Sequence, residues 1–137
     1  MKTAKDLMTS PAECLAPDES IATAARMLSK YDVGSMPIVD GDTLVGVVTD
    51  RDIVLKAVAK GLDPKETAVS DIASKNVVTV EASAAASEVA QLMSEHQVRR
   101  LPVVDGGKVV GMVAQADVAR VLDEGTTGEV VEEISQQ

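Results

Sequence analysis

Val33-Gly34-Ser35-Met36-Pro37-Ile38-Val39-Asp40-Gly41 and Val98-Arg99-Arg100-Leu101-Pro102-Val103-Val104-Asp105-Gly106 are two copies of one pattern, 65 positions apart. The same offset pairs Val45-Gly46-Val47-Val48 with Val110-Gly111-Met112-Val113, Asp52 with Asp117, and Asp6 with Asp71. No gap is needed anywhere. A match that runs unbroken through so many positions is a duplication, and it decides the architecture before any single motif does.

Working outward, each copy reads the same way. Two short apolar runs, 36–39 with 44–48 and 101–104 with 109–113, are joined by an Asp-Gly turn and predict a β-hairpin. Ahead of them, Ile21, Ala24, Ala25 and Leu28 fall at helical spacing, as do Ala86, Val89, Ala90 and Met93. Ser20 and Ser83 are expected at the helix starts. A second helix is expected over 51–60 and 116–122, and a short strand near 13–15 and 77–80. The unit is β-α-β-β-α, and the chain is an α+β protein of two such units packed with pseudo-twofold symmetry. Gly61-Leu62-Asp63-Pro64 breaks the pattern, which sets the units at 1–62 and 63–122. The remainder, 123–137, has five acidic residues and no basic one. It is expected to be a mobile tail in which Val130, Val131 and Ile134 are available for docking as a short helix.

Composition narrows the function. The 137 residues suffice to bury roughly two-thirds of the unfolded surface without a metal or disulfide staple. There is no Phe, no Trp and one tyrosine, Tyr31, so the core is built from Val, Leu, Ile, Ala and Met. Such a chain lacks aromatic platforms for single-stranded nucleic acid. A net charge of −9 repels phosphate backbones and anionic membranes and favours solubility. Cys14 is the sole cysteine, which rules out an internal disulfide and a cysteine-rich metal site. It is read as a small core or edge residue, with redox sensing or intermolecular pairing as the alternative. His96, the sole histidine, is read as a surface helix-end residue, so no metal site is expected. No apolar run follows Met1-Lys2-Thr3-Ala4-Lys5-Asp6 and none reaches spanning length, so a cytoplasmic location is expected.

Asp6-Leu7-Met8-Thr9, Pro17-Asp18-Glu19-Ser20-Ile21, the 33–40 run and Gly46-Val47-Val48-Thr49-Asp50-Arg51-Asp52-Ile53-Val54 together resemble the CBS-domain family. The second unit repeats the pattern with substitutions, and the two copies cover residues 4–122, leaving no catalytic domain over. Two copies in tandem make a Bateman module. Within the family, the length, residues 61–64 and His96-Gln97-Val98-Arg99-Arg100 are most similar to stand-alone hypoxic-response CBS-pair proteins of actinobacteria. The resemblance implies a stress-response regulator that needs no cofactor for folding. It implies an adenosine-containing ligand (AMP, ADP, ATP, S-adenosylmethionine or NAD) in a cleft between the units. It assigns the ribose hydroxyls to Asp52, a ribose or phosphate contact to Thr49, and phosphates to Arg99 and Arg100. It also implies a homodimer, usually disc-like.

The residues themselves admit more than one reading. A carboxylate accepts two hydrogen bonds from adjacent sugar hydroxyls, and forked guanidinium groups suit phosphate oxygens. Asp50 and Asp52 together repel phosphate, which directs it elsewhere. Yet Thr49-x-x-Asp52 is equally a capping-box signature, and Arg99 and Arg100 are equally ordinary solvated charges. Gly34 either permits close approach of a base or backbone, with Ser35 beside it, or is simply a turn residue. Pro37 and Pro102 shape strand entry. The second copy has Ala114-Gln115-Ala116-Asp117 where the first has Thr49-Asp50-Arg51-Asp52, so the site around Asp117 keeps the carboxylate and loses the hydroxyl.

Two functions compete. One is a sensor that binds a nucleotide and signals to a regulated partner; the other is a ligand-independent dimerisation or interaction module with a vestigial site. An enzyme is disfavoured, because one His, one Cys and no metal constellation assemble no acid–base or nucleophile arrangement.

Overall fold

The computed structural model describes residues 1–124; the segment 125–137, with the expected docking residues Val130, Val131 and Ile134, lies outside them. Along the chain the elements are α1 (Ala4–Leu7), α2 (Ile21–Tyr31), β1 (Ser35–Asp40), β2 (Thr43–Thr49), α3 (Asp50–Asp52) and a π-helical turn, Ile53–Val58. A 3₁₀ turn (Val69–Asp71) leads on to β3 (Val80–Glu81), α4 (Ala86–His96), β4 (Arg100–Asp105), β5 (Lys108–Ala114) and α5 (Gln115–Glu124). α5 takes in Asp123 and Glu124, the first two residues assigned from sequence to the tail.

The chain divides into two compact units, each with its own apolar core. Unit A comprises residues 13–77 with 107–109; unit B comprises 1–12, 78–106 and the chain from 110. Along the chain, the two copies are expected at 1–62 and 63–122. Counted by contact, each unit takes in the segment that leads into the other copy.

In unit A, Leu15 bridges Ile38 in parallel, and α2 buries Ile21, Ala24 and Leu28 on one face. Ser20 caps α2 by accepting the Thr23 N–H at 3.1 Å. Asp32 ends the helix in the left-handed region at φ 53°, and the Val33 N–H donates to the Leu28 carbonyl at 3.0 Å, which closes a Schellman turn. β1 and β2 form the expected antiparallel hairpin, with Ser35 opposite Thr49 and a register shift between Ile38 and Val39. The helix expected over 51–60 begins as one α-turn and then widens; Ala59 N–H reaches back five residues to Val54 at 2.9 Å.

Unit B repeats this. β3 runs parallel to β4, with Val80 opposite Val103, and β5 leads into α5. Gln97, 65 positions after Asp32, again takes a left-handed conformation at φ 55°, and Val98 N–H donates to Met93 at 3.0 Å. Ser83 does not cap α4. The helix starts at Ala86 behind Ala85, which has no capping hydroxyl, because a turn closed by Ala84 N–H on the Glu81 carbonyl carries Ser83 upstream of it.

The buried side chains follow the duplication: Leu15 and Val80, Ala24 and Val89, Leu28 and Met93, Ile38 and Val103, Val48 and Val113. So do the leading segments. Val69, just after the break, is buried in unit A's core, whereas its counterpart Ala4 is buried in unit B's. Ser74 pairs with Val47 in unit A, and Thr9 pairs with Met112 in unit B. Both pairings cross the hairpin beside a glycine. A Cβ on Gly46 would lie 3.0 Å from the Ser74 carbonyl oxygen, and one on Gly111 would lie 2.9 Å from that of Thr9. That contact is the reason each copy carries glycine at this place.

Candidate functional site

The end of β2 and the start of α3 hold four of the sequence-predicted residues in one place in unit A. Ser35 stands opposite Thr49 across the hairpin, and the Asp50 N–H donates to the Gly34 carbonyl at 2.9 Å. The extended backbone at Thr49 turns abruptly into the helix, and this turn is held by a full capping box. The Thr49 N–H donates to Asp52 Oδ2 at 3.0 Å, and the Asp52 N–H donates to Thr49 Oγ1 at 2.9 Å. Capping is therefore a role that both side chains perform, whatever else they bind.

Asp52 is held on its other oxygen as well. Lys56, one turn along, places Nζ 3.1 Å from Asp52 Oδ1 and donates to the Ile72 carbonyl at 3.3 Å. The carboxylate is 12 % exposed, so it is shielded without being sealed. Each carboxylate oxygen has a second lone pair beyond the bond it already accepts. The group is thus fixed in orientation and retains acceptor capacity for two hydroxyl donors. Lys56 was not singled out from sequence; its signal was the i,i+4 spacing to Asp52.

Asp50 also belongs to this place. A Cβ on Gly34 would sit 3.4 Å from Asp50 Oδ2, an ordinary contact distance. The neighbour that Gly34 approaches is therefore this carboxylate, whose Oδ1 accepts the Arg51 N–H at 2.8 Å.

Unit B holds the other three predicted residues in the corresponding turn. The Gln115 N–H donates to the Arg99 carbonyl at 2.7 Å, the counterpart of the Asp50–Gly34 bond. Asp117 Oδ2 accepts the Ala114 N–H at a longer 3.3 Å, and Oδ1 pairs with Arg120 at 2.9 Å. Half of the capping box survives here; the other half is missing because Ala114 has no hydroxyl. Arg99 and Arg100 are not equivalent. Arg99 lines a cavity of about 540 Å³ between α4 and α5, with Met93, Gln97, Gln115, Val118 and Leu122 around it. Arg100, half-buried at the start of β4, does not.

Among the described residues no cluster of three or more His, Cys, Asp or Glu side chains is placed to hold a metal ion. Cys14 is half-buried, and burial, reinforced by the charge of Glu13, pushes its thiol above the ordinary range. No helix among the described residues is long and apolar enough to cross a membrane.

The chain is similar to known proteins over most of its length. The CBS domain pattern matches twice, over residues 4–58 and 69–124. Hypoxic response protein 1 of Mycobacterium tuberculosis is 42% identical over 125 residues, covering 90% of this chain and 87% of that protein. A crystal structure of hypoxic response protein I with two coordinated zinc ions superposes with a TM-score of 0.78 at 41% identity, over 88% of this chain and 99% of that one. The CBS domain pair of protein MJ0100, solved with 5-methylthioadenosine and S-adenosyl-L-methionine, gives a TM-score of 0.77 at 31% identity over 91% and 98% of the two chains. CBSX2 in complex with AMP gives 0.76 at 30% identity over 90% and 98%.

Proposed function

The chain belongs to the CBS-domain family as a tandem pair, and on that premise we propose that it is a non-catalytic regulatory module that binds an adenosine-containing ligand and signals to a partner protein. The observation that carries this reading is the Asp52 carboxylate. It is oriented by Thr49 and Lys56, shielded, and left with acceptor capacity suited to a ribose diol. Related pairs solved with AMP, and with methylthioadenosine and S-adenosylmethionine, support the ligand class, with ADP, ATP and NAD as further members. In this reading Asp52 takes the ribose hydroxyls and Thr49 a ribose or phosphate contact, with Gly34 and Ser35 beside them; Arg99 and Arg100 take the phosphates, and the site around Asp117, which lacks the hydroxyl, is the weaker one. A cytoplasmic stress-response role is proposed on the likeness to the hypoxic-response relative.

The test is thermal unfolding with adenosine ligands at graded concentrations, because a ligand of the native state must raise Tm by mass action. Asp52→Ala should weaken binding by roughly tenfold to a thousandfold, as expected for loss of charge-assisted hydrogen bonds. Absence of any shift at millimolar ligand would overturn the sensor reading.

A second reading, assembly without a ligand, is favoured by a different observation. Val54, Leu55, Val58 and Leu62 are 40–68 % exposed in unit A, with Tyr31 also exposed. Large apolar side chains left in water mark a surface that association would cover. We propose a homodimer in either case. Sedimentation at micromolar concentration tests it, and a monomer throughout would count against both the dimer and the assembly module.

A further inference from the structure

The start of α3 carries two carboxylates within one turn, Asp50 and Asp52, at the place proposed for the sugar of a nucleotide. An anionic phosphate on the same ligand would be repelled by both. Lys56 changes this balance. Its ammonium is held from two sides, by Asp52 Oδ1 at 3.1 Å and by the Ile72 carbonyl at 3.3 Å, while the side chain remains 49 % exposed. A cation tethered in this way stays beside the carboxylate and still faces solvent. Unit B has Val121 at the corresponding position, and Asp117 takes a different counter-ion, the more exposed Arg120 at 2.9 Å, with no carbonyl tether among the described residues. Among the described residues, a lysine held both by the carboxylate and by a carbonyl is thus found at this turn in unit A and not in unit B.

We infer that Lys56 is a specificity-determining residue: by neutralising Asp52 it lets the site accept a ribose whose ligand also carries phosphate, and so favours adenine nucleotides over uncharged adenosine or cationic sulfonium ligands. This rests on the nucleotide-binding reading above. A charge a few ångströms from a phosphate near the protein surface, screened by water and salt, changes affinity by about five- to tenfold. The effect on an uncharged ligand is expected to be less than about twofold.

The experiment is calorimetric titration of the full chain with AMP and with adenosine, for the parent, Lys56→Gln and Lys56→Arg. Gln keeps a donor for Asp52 and Ile72 and removes the charge; Arg keeps the charge. Unfolding without ligand is followed in parallel, and Lys56→Met is the alternative should the Gln variant not fold. The expected result is a loss of about five- to tenfold for AMP in Lys56→Gln, little change for adenosine, recovery in Lys56→Arg, and a difference that shrinks with added salt. Equal losses for both ligands would overturn the inference, because Lys56 would then only prop Asp52 in place. Tighter AMP binding by the Gln variant would overturn it too, since Lys56 would then compete with the ligand. If the parent binds neither ligand, the nucleotide-binding reading itself fails, and that outcome is distinct from the other two.

Discussion

Thr49 and Asp52 hold each other through two reciprocal hydrogen bonds, 3.0 Å from the Thr49 N–H to Asp52 Oδ2 and 2.9 Å from the Asp52 N–H to Thr49 Oγ1. Their counterparts in unit B, Ala114 and Asp117, keep only the first of these, lengthened to 3.3 Å.

That contrast gives a paired prediction. Thr49→Ala should lower stability by about 0.5–2 kcal/mol, the usual worth of a helix cap. Ala114→Thr should raise it by up to about 1 kcal/mol, because the missing acceptor for Asp117 N–H is supplied on a backbone already set for it. Urea unfolding of both variants checks this. A change in stability alone in Thr49→Ala, with intrinsic affinity for adenosine ligands intact, would assign Thr49 to capping and remove it from the site.

The two crossing glycines should respond unequally to alanine. A Cβ on Gly111 meets the Met8 sulfur at 2.5 Å and the Thr9 carbonyl oxygen at 2.9 Å. The sulfur can swing aside; the carbonyl is fixed by the pairing of Thr9 with Met112, at 2.7 and 3.0 Å. Gly111→Ala should therefore cost about 1–3 kcal/mol, as overpacking does. Gly46→Ala, whose nearest atom is the Ser74 oxygen at 3.0 Å, should cost less. Denaturant midpoints measured side by side would show the order, and the reverse order would contradict the crossing geometry.

Cys14 is expected to react slowly with iodoacetamide, with a pH midpoint above that of an exposed thiol, because burial disfavours its thiolate. Its folded pKa lies above its unfolded value. The stabilisation this brings is present below the unfolded value and is lost as pH rises through the folded one. Stability of the parent should thus fall more steeply at alkaline pH than that of Cys14→Ser. The serine variant should lose less than about 2 kcal/mol at neutral pH. A larger loss would show that the thiol is packed more tightly than its half-burial indicates.

The duplication, the α+β unit and most of the core were legible in the residues themselves. Leu28 and Met93, or Ile38 and Val103, are apolar at matching positions because helix and strand impose their own periods on whatever must be buried. Thr49 and Asp52 were legible for a similar reason: three-residue spacing is all that a capping box requires. Other features depend on where distant segments go. Nothing local in Met8-Thr9 or Ser74 says that each crosses a hairpin, yet that crossing explains Gly111 and Gly46. Val69 and Ala4 occupy matching places in the repeat but are buried in units opposite to chain order, since a contact requires proximity in space and not in sequence. The division between Arg99 and Arg100 is of the same kind. Both are basic and adjacent in the chain, but only the packing of α4 against α5 brings Arg99 to the cavity. Lys56 lies between the two cases: its spacing to Asp52 was visible in the sequence, while the Ile72 carbonyl that tethers it, 16 residues on, was placed only by the tertiary fold.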